Sequence, residues 1–506
     1  MPLPVRTWDE VYYYLSSELQ VEWFRALKNS LLSGNVRQVL SQEVVDAYWL
    51  WDSSHNPHPP LYKMLSAVGL VLFGNAIGPF IAYRLATAAL AAGLVVLVFA
   101  ALAPCYGLLK GLYGGLCLLV IPLFFGHAHI AATEIPLAFF WFAAYGAFWK
   151  GMESWRGSML LALLVGCGLA TKFTAVLIPV PMLLWALLCR EKRAIKNLMC
   201  LMLSPCIAVV LNPGWWYQPF DKISAFIHAS LSRQEIIPIS SFFAGVRYVF
   251  SPPWYYSPVM LGITLPAALL ITVVLGAVFF LRYPNRRDAL FLLNIPWILG
   301  IVMLPQAPVH DGIRQFFSVL PFCAYLSALG LQYADEAFTY LGLQGLVRVG
   351  AGAGVALLFL STAAFQVVRY HPFCLSYYNE LIGGLSGAYQ RGMEVTYWFD
   401  AVTPPFLERV NHIVPDGARV CVLPANPEYF HFLQERGKLK KTIEFLTPDP
   451  SLIKQQDGPD SQCPVYVILL HRRSELRDVH RHILASCTPL AATRCDGVPL
   501  VALYRW

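Results

Sequence analysis

Charge is what this chain has least of. Only 13% of its 506 residues are Asp, Glu, Lys or Arg, where a soluble domain carries about 25%. In their place stand 57% hydrophobic residues and a mean hydropathy of +0.54. That balance excludes an ordinary soluble domain. The net charge of +7 does not imply nucleic acid, because the lysines and arginines sit in short loops between apolar runs. Also lacking are a CxxC pair, zinc-ligand spacing, an internal repeat and a low-complexity tract. No apolar leader follows Met1, so no cleavable signal peptide is read.

Apolar runs near the ~20 residues that cross a bilayer are abundant instead. They give about ten spans, near 82–103, 109–126, 131–149, 158–171, 173–189, 195–212, 258–281, 288–305, 315–333 and 347–367. Basic loops hold Lys110, Lys150, Arg156, the Arg190–Lys196 cluster, Arg282, Arg286, Arg287 and Arg348. They alternate with loops holding Asp9, His127–Glu134, Asn212–Pro258 and His310–Arg314. The positive-inside rule places the basic loops in the cytoplasm and the others outside. The N-terminus then begins outside, and Pro2-Leu3-Pro4 reads as the tail of a lost preceding span.

Residues 11–50 repeat Tyr12, Leu15, Leu19, Trp23, Leu27 and Leu31 at helical spacing, which predicts an amphipathic helix at the membrane surface. Residues 61–80, interrupted by Lys63 and three glycines, read as a second interfacial helix. After residue 368 the hydropathy falls. Segments 417–423, 465–471 and 500–504 read as buried strands, with helices near 404–413, 426–436 and 473–485. The predicted architecture is an all-α polytopic membrane bundle with a small external C-terminal α/β domain. Its divisions are an external loop region (1–80), the bundle (81–367) and the α/β domain (368–506). Cys421, Cys463, Cys487 and Cys495 read equally as disulfide partners or as buried thiols.

Ionisable residues at the outer mouths of the spans carry the chemistry. Asp9-Glu10 opens a helix, where Asp9 serves as an N-cap or as a base. His58-Pro59-Pro60-Leu61-Tyr62-Lys63 stops one helix and starts another. That geometry turns His58 toward the external side and lets Lys63 snorkel toward phosphate; the bland reading is two headgroup contacts. His55 is a further candidate nearby. Glu134, in Thr133-Glu134-Ile135-Pro136, is a helix cap or a functional carboxylate at membrane depth. With His127 it could hold a divalent cation, the one cofactor in view; His127 and His129 do not share a helix face. Lys172 interrupts an apolar stretch and needs a partner, water or a lipid phosphate. His310-Asp311-Gly312-Ile313-Arg314 opens a span, where Arg314 suits a phosphate better than a lysine does. Trp215, Trp216, Tyr217, Phe220, Trp254, Tyr255 and Tyr256 read as an interfacial belt. Tyr377–Gly384 and Glu394–Asp400 form motifs whose chemistry is open.

These segments, in this order, resemble the GT-C glycosyltransferases, above all the protein O-mannosyltransferase and lipid A aminoarabinose transferase families. His58–Lys63 is similar to their HPPLxK segment, and His310–Arg314 to an HDGxR stretch. Glu134 stands where those families often carry Asp. The resemblance implies sugar transfer from a polyprenyl-phosphate donor to a protein, lipid or glycan acceptor, at the external face of a bacterial inner membrane. It also implies Asp9 as base with Glu10 supporting it, and His58, Lys63, Glu134, Lys172, His310, Asp311 and Arg314 as substrate contacts. A transporter would instead show paired repeats and broken helices, and a membrane scaffold would not gather these charges.

Overall fold

The computed structural model describes residues 8–50, 58–232, 239–305, 307–424, 427–446 and 466–505. His55 and Cys463 lie outside the described residues. Each of the ten apolar segments folds mainly as helix, the form that satisfies its own backbone without water. Among the described residues, three helices are long and apolar enough to cross a bilayer alone: Pro79–Tyr106, Arg314–Tyr340 and Gly345–Tyr370. Two bent pairs raise the count to as many as five. Prolines shorten others: Pro179 and Pro205 each sit in the first turn of a new helix.

The segment read as one span at 258–281 is two helices, Tyr256–Thr264 and Ala267–Arg282, meeting at 119°. Pro266 disfavours helix at Leu265 and removes a donor. The carbonyls this frees are taken up by Asn379. Its side-chain amide donates to Gly262 and Leu265, each at 2.7 Å, and its backbone N–H to Ile263 at 2.8 Å. The Tyr377–Gly384 motif thus has a structural task the sequence did not disclose. Below the bend, Gly276 and Gly330 let two helices touch backbone to backbone. A Cβ on Gly276 would lie 1.9 Å from the Leu326 oxygen, and one on Gly330 2.0 Å from the Thr272 oxygen.

At the N-terminus, the stretch 11–50 expected as one amphipathic helix forms three, Trp8–Ser33, Val36–Val39 and Gln42–Trp49, and although Trp23 of the expected stripe is buried, the face that the first of them buries otherwise differs. Tyr12, Leu15 and Leu19 are only half-buried, whereas Glu10, Tyr13, Tyr14, Ser17 and Gln20 are buried. The polar face wins because it has partners inside. Ser17 donates to the Lys63 carbonyl at 2.9 Å, and Tyr14 packs edge-on against Tyr83. Helix Leu61–Ile77 follows and packs against both Trp8–Ser33 and Pro79–Tyr106.

Strands β1 (Ser241–Phe243) and β2 (Val246–Tyr248) make a small hairpin. The C-terminal sheet is built from β3 (Arg419–Leu423), β4 (Glu444–Leu446), β5 (Tyr466–Leu470), β6 (Ala491–Cys495) and β7 (Val498–Arg505), ordered β4-β3-β5-β7-β6. Strands β3, β4 and β5 run parallel and β7 antiparallel. Helices Pro404–Ile413 and Pro427–Glu435 match their expected places, while 473–485 resolves into a short 3-10 turn and helix Asp478–Ser486. Strands β4 and β6, short or half-polar, were not read from the sequence. The sheet domain docks on the N-terminal helix: Phe432 packs on Tyr14, and Arg436 pairs with Glu18 at 3.2 Å. Cys421, Cys487 and Cys495 are free thiols. Burial pushes Cys421 and Cys495 up to about 12.

Candidate active site

Several helix starts converge at one end of the bundle. Asp9 and Glu10 lie in the first turn of Trp8–Ser33, and Glu134 opens Glu134–Gly151. Lys172 sits in an extended conformation before the 3-10 turn Phe173–Leu177. Arg314 follows a tight turn in which Asp311 and Gly312 both take left-handed backbone, φ +57° and +66°. Glycine is needed at the second position, because its φ is positive and an added Cβ would lie 3.1 Å from the Tyr397 ring.

Arg314 is the hub. Its Nη2 donates to Asp9 Oδ2 at 2.5 Å, its Nε to Glu134 Oε1 at 2.9 Å, and its Nη1 to Asp311 Oδ2 at 3.2 Å. Lys172 Nζ donates to the same Glu134 oxygen at 3.1 Å. Arg472 closes the other side, 3.0 Å from Asp311 Oδ1. The guanidinium of Arg314 stacks 4.3 Å from the Trp398 ring centre. Three carboxylates therefore meet three cations, with Glu134, Lys172, Arg314 and Arg472 all buried. Burial alone would raise the Asp311 carboxyl, but Arg472, His310 and Arg314 beside it hold it below the usual carboxylate range. Glu134 Oε2 has no hydrogen-bond partner among the described residues.

The sequence candidates fall into two groups. Asp9, Glu134, Lys172, Asp311 and Arg314 share this network. His310 flanks it, accepting on Nε2 from the Gln315 amide at 3.0 Å and 3.9 Å from Asp311. Glu10, beside Asp9 in sequence, faces elsewhere: both of its oxygens bind Arg84 at 2.7 Å, and one also accepts from the Ala131 N–H. Lys63 is buried rather than snorkelling; its Nζ donates to the His58 carbonyl at 3.0 Å and lies over the Tyr13 ring. No group of three or more His, Cys, Asp or Glu side chains suited to a metal forms among the described residues.

Sequence reasoning missed Arg84 and Arg472, and singled out the motif that holds Trp398 without assigning it a role. Arg84 was legible, since a charge inside an apolar run demands a partner. Arg472 carries no such signal; it lies in the loop after β5, which Glu394 pins by accepting from the Arg473 and Ser474 N–H groups at 2.7 and 2.8 Å. Tyr256, read as part of a belt, is buried and donates to the Gly312 carbonyl, while Phe220 and Trp254 are exposed.

Residues 57–217 match the family model of dolichyl-phosphate-mannose-protein mannosyltransferases. Over that segment the chain resembles these mannosyltransferases. His58, Lys63, Glu134 and Lys172 fall inside the matched segment, and Asp9 and Arg314 outside it. A search of curated proteins finds no match. Among solved structures, ArnT from Cupriavidus metallidurans in the apo state aligns at 13% identity and a TM-score of 0.46, covering 88% of this chain and 87% of that one. The same protein bound to undecaprenyl phosphate aligns at 14% and 0.46, with the same coverage. The oligosaccharyltransferase AglB from Archaeoglobus fulgidus aligns at 11% and 0.45, over 82% of this chain and 61% of that one. Likenesses this distant carry no argument about chemistry. The family match and the apolar helices support a membrane glycosyltransferase.

Proposed function

We propose that this chain moves a hexosyl or pentosyl unit from a polyprenyl-phosphate donor to an acceptor hydroxyl at the external face of a membrane, with Asp9 as general base. The observation that carries this reading is the Arg314 hub, where three carboxylates and three cations meet at the mouth of an apolar bundle. The matched family is named for a lipid-phosphate sugar donor.

In this structure every nitrogen of the Arg314 guanidinium engages a carboxylate. A donor phosphate therefore exchanges with one of them. Asp9 is the one to yield, because it is the most exposed of the three, with a side chain 20% exposed against 1% for Glu134 and 8% for Asp311. Phosphate on Arg314 Nη2, with Lys172 close by, releases the Asp9 carboxylate beside the anomeric carbon. The acceptor oxygen then attacks that carbon, the bond to the phosphate oxygen breaks, polyprenyl phosphate leaves, and Asp9 takes the hydroxyl proton. Glu10 acts at one remove: locked on Arg84 and the Ala131 N–H, it fixes the helix start that presents Asp9.

The test is transfer by the purified protein in lipid nanodiscs. Polyprenyl-phosphate mannose should serve as donor and GDP-mannose should not. Equal use of the soluble nucleotide sugar would overturn the donor class.

A further inference from the structure

Arg472 comes to the hub from the loop after β5, and its guanidinium holds two groups that both frame Arg314. Its Nη2 lies 3.0 Å from Asp311 Oδ1, and its Nη1 donates to the Tyr397 carbonyl at 3.1 Å. Asp311 accepts from Arg314 Nη1 at 3.2 Å through its other oxygen. Tyr397 is followed by Trp398, whose ring centre lies 4.3 Å from the Arg314 guanidinium. One side chain thus fixes a carboxylate at the edge of Arg314 and the backbone that carries an aromatic ring against its face. Asp311 also takes left-handed backbone, φ +57°, which a residue with a side chain keeps only where its surroundings hold it.

The loop that delivers Arg472 is itself anchored from three other segments. Glu394 accepts from the Arg473 and Ser474 N–H groups at 2.7 and 2.8 Å. Arg247, on β2, donates from Nε to the Ser474 carbonyl at 2.6 Å. Arg473 donates to the Tyr389 carbonyl at 2.7 Å, and its guanidinium lies 3.7 Å from the centre of that tyrosine ring. Arg472, Ser474 and Glu394 are all buried. Balancing the charge of Asp311 would need only a cation nearby. A planar fork held by its loop, spanning Asp311 and the Tyr397 carbonyl, fixes those two groups relative to each other as well. A single ammonium on a flexible stem does not.

We propose that Arg472 is a positioning residue for the donor phosphate, acting through Asp311 and Trp398 to set the plane of the Arg314 guanidinium. The sheet domain is thereby part of the donor site, although it follows the bundle in the chain. The proposal rests on the reading of Arg314 as the phosphate contact. A tilt of that guanidinium changes where Nη2 points, and a phosphate bound there loses the length and angle of its charge-assisted bond.

The test is a cycle of variants that keeps every charge: Arg472→Lys, Arg314→Lys and the two together, in the full chain in nanodiscs, titrated with polyprenyl phosphate. Melting is followed alongside, so that affinity is read on folded protein. Arg472→Lys can hold Asp311 or the Tyr397 carbonyl but not both, and should weaken binding about 3- to 30-fold, the range over which a residue acting through its neighbours changes affinity. In the Arg314→Lys background there is no guanidinium plane to set, so the same replacement should change affinity less than about 2-fold. Unchanged affinity in Arg472→Lys would mean that only its charge matters, even if the melting temperature drops, and would overturn the proposal. An equal loss in both backgrounds would overturn it too, because Arg472 would then act on the phosphate without Arg314. If the double variant does not fold, the single replacement still decides between loss and no loss. Failure of the wild-type protein to bind polyprenyl phosphate would instead sink the parent reading.

Discussion

Replacing Arg314 with Gln removes the one side chain that binds Asp9, Glu134 and Asp311 together. Three buried or half-buried carboxylates then face only Lys172 and Arg472, leaving one negative charge uncompensated. Removing one partner from a buried ion pair costs about 3–5 kcal/mol, so the melting temperature in detergent should drop by several degrees. For donor binding, one desolvated charge-assisted contact is worth about 1.5–3 kcal/mol, or roughly 10- to 150-fold in affinity. Polyprenyl-phosphate affinity should fall by that order. Arg314→Lys should restore part of the stability but little of the donor affinity, because a single ammonium cannot fork across three acceptors. The assay is direct titration of polyprenyl phosphate into each folded variant, with melting measured alongside. An Arg314→Gln protein that binds the lipid as wild type does would refute the exchange of phosphate for Asp9 at this guanidinium.

Two further outcomes follow from other buried groups. Asp400 is buried, neither of its carboxylate oxygens has a hydrogen-bond partner among the described residues, and burial pushes it up to about 7 from 3.8. A raised folded-state value means that the folded protein holds its proton more tightly than the unfolded chain. Stability should therefore fall as pH rises from about 4 to about 7, by at most ~4 kcal/mol. Asp400→Asn should flatten that slope in melting scans, and an unchanged slope would clear Asp400 of the effect. Asn379→Ala strands the carbonyls at the 119° bend, and losing its two side-chain bonds there should cost about 1–3 kcal/mol, read as a lower melting temperature.

Apolar runs, helix-opening carboxylates and the strands of the C-terminal domain were legible because each rests on local pattern. Gly417–Leu423 and Leu500–Tyr504 read as strands on their continuous apolar character, and the structure has β3 and β7 there. The broken span at 264–267 was not legible. Its cause is a local proline, but its stability depends on Asn379, more than a hundred residues away. The buried face of helix Trp8–Ser33 was misjudged for a related reason: periodicity marks the most apolar stripe, while burial followed the polar partners Arg84 and Lys63. Within the site, Glu134 and Lys172 were found as charges that need partners at membrane depth, and Asp9 and Arg314 from motifs that resemble the family's. That they pair with one another, and that Arg472 arrives from the sheet domain to complete the charge balance, depends on tertiary contacts that no spacing encodes.

Asp9 is the residue on which the proposed chemistry turns, and Asp9→Asn tests it most directly. The amide keeps the shape and an oxygen that can accept from Arg314 Nη2, but cannot take a proton. Transfer of mannose from polyprenyl-phosphate mannose should fall by about 100-fold or more, while donor affinity, titrated on the same preparation, holds or rises, because a neutral amide competes less well with phosphate for Arg314 Nη2. Near wild-type turnover by Asp9→Asn, with the donor bound, would leave Asp9 a structural partner of Arg314 and contradict the account.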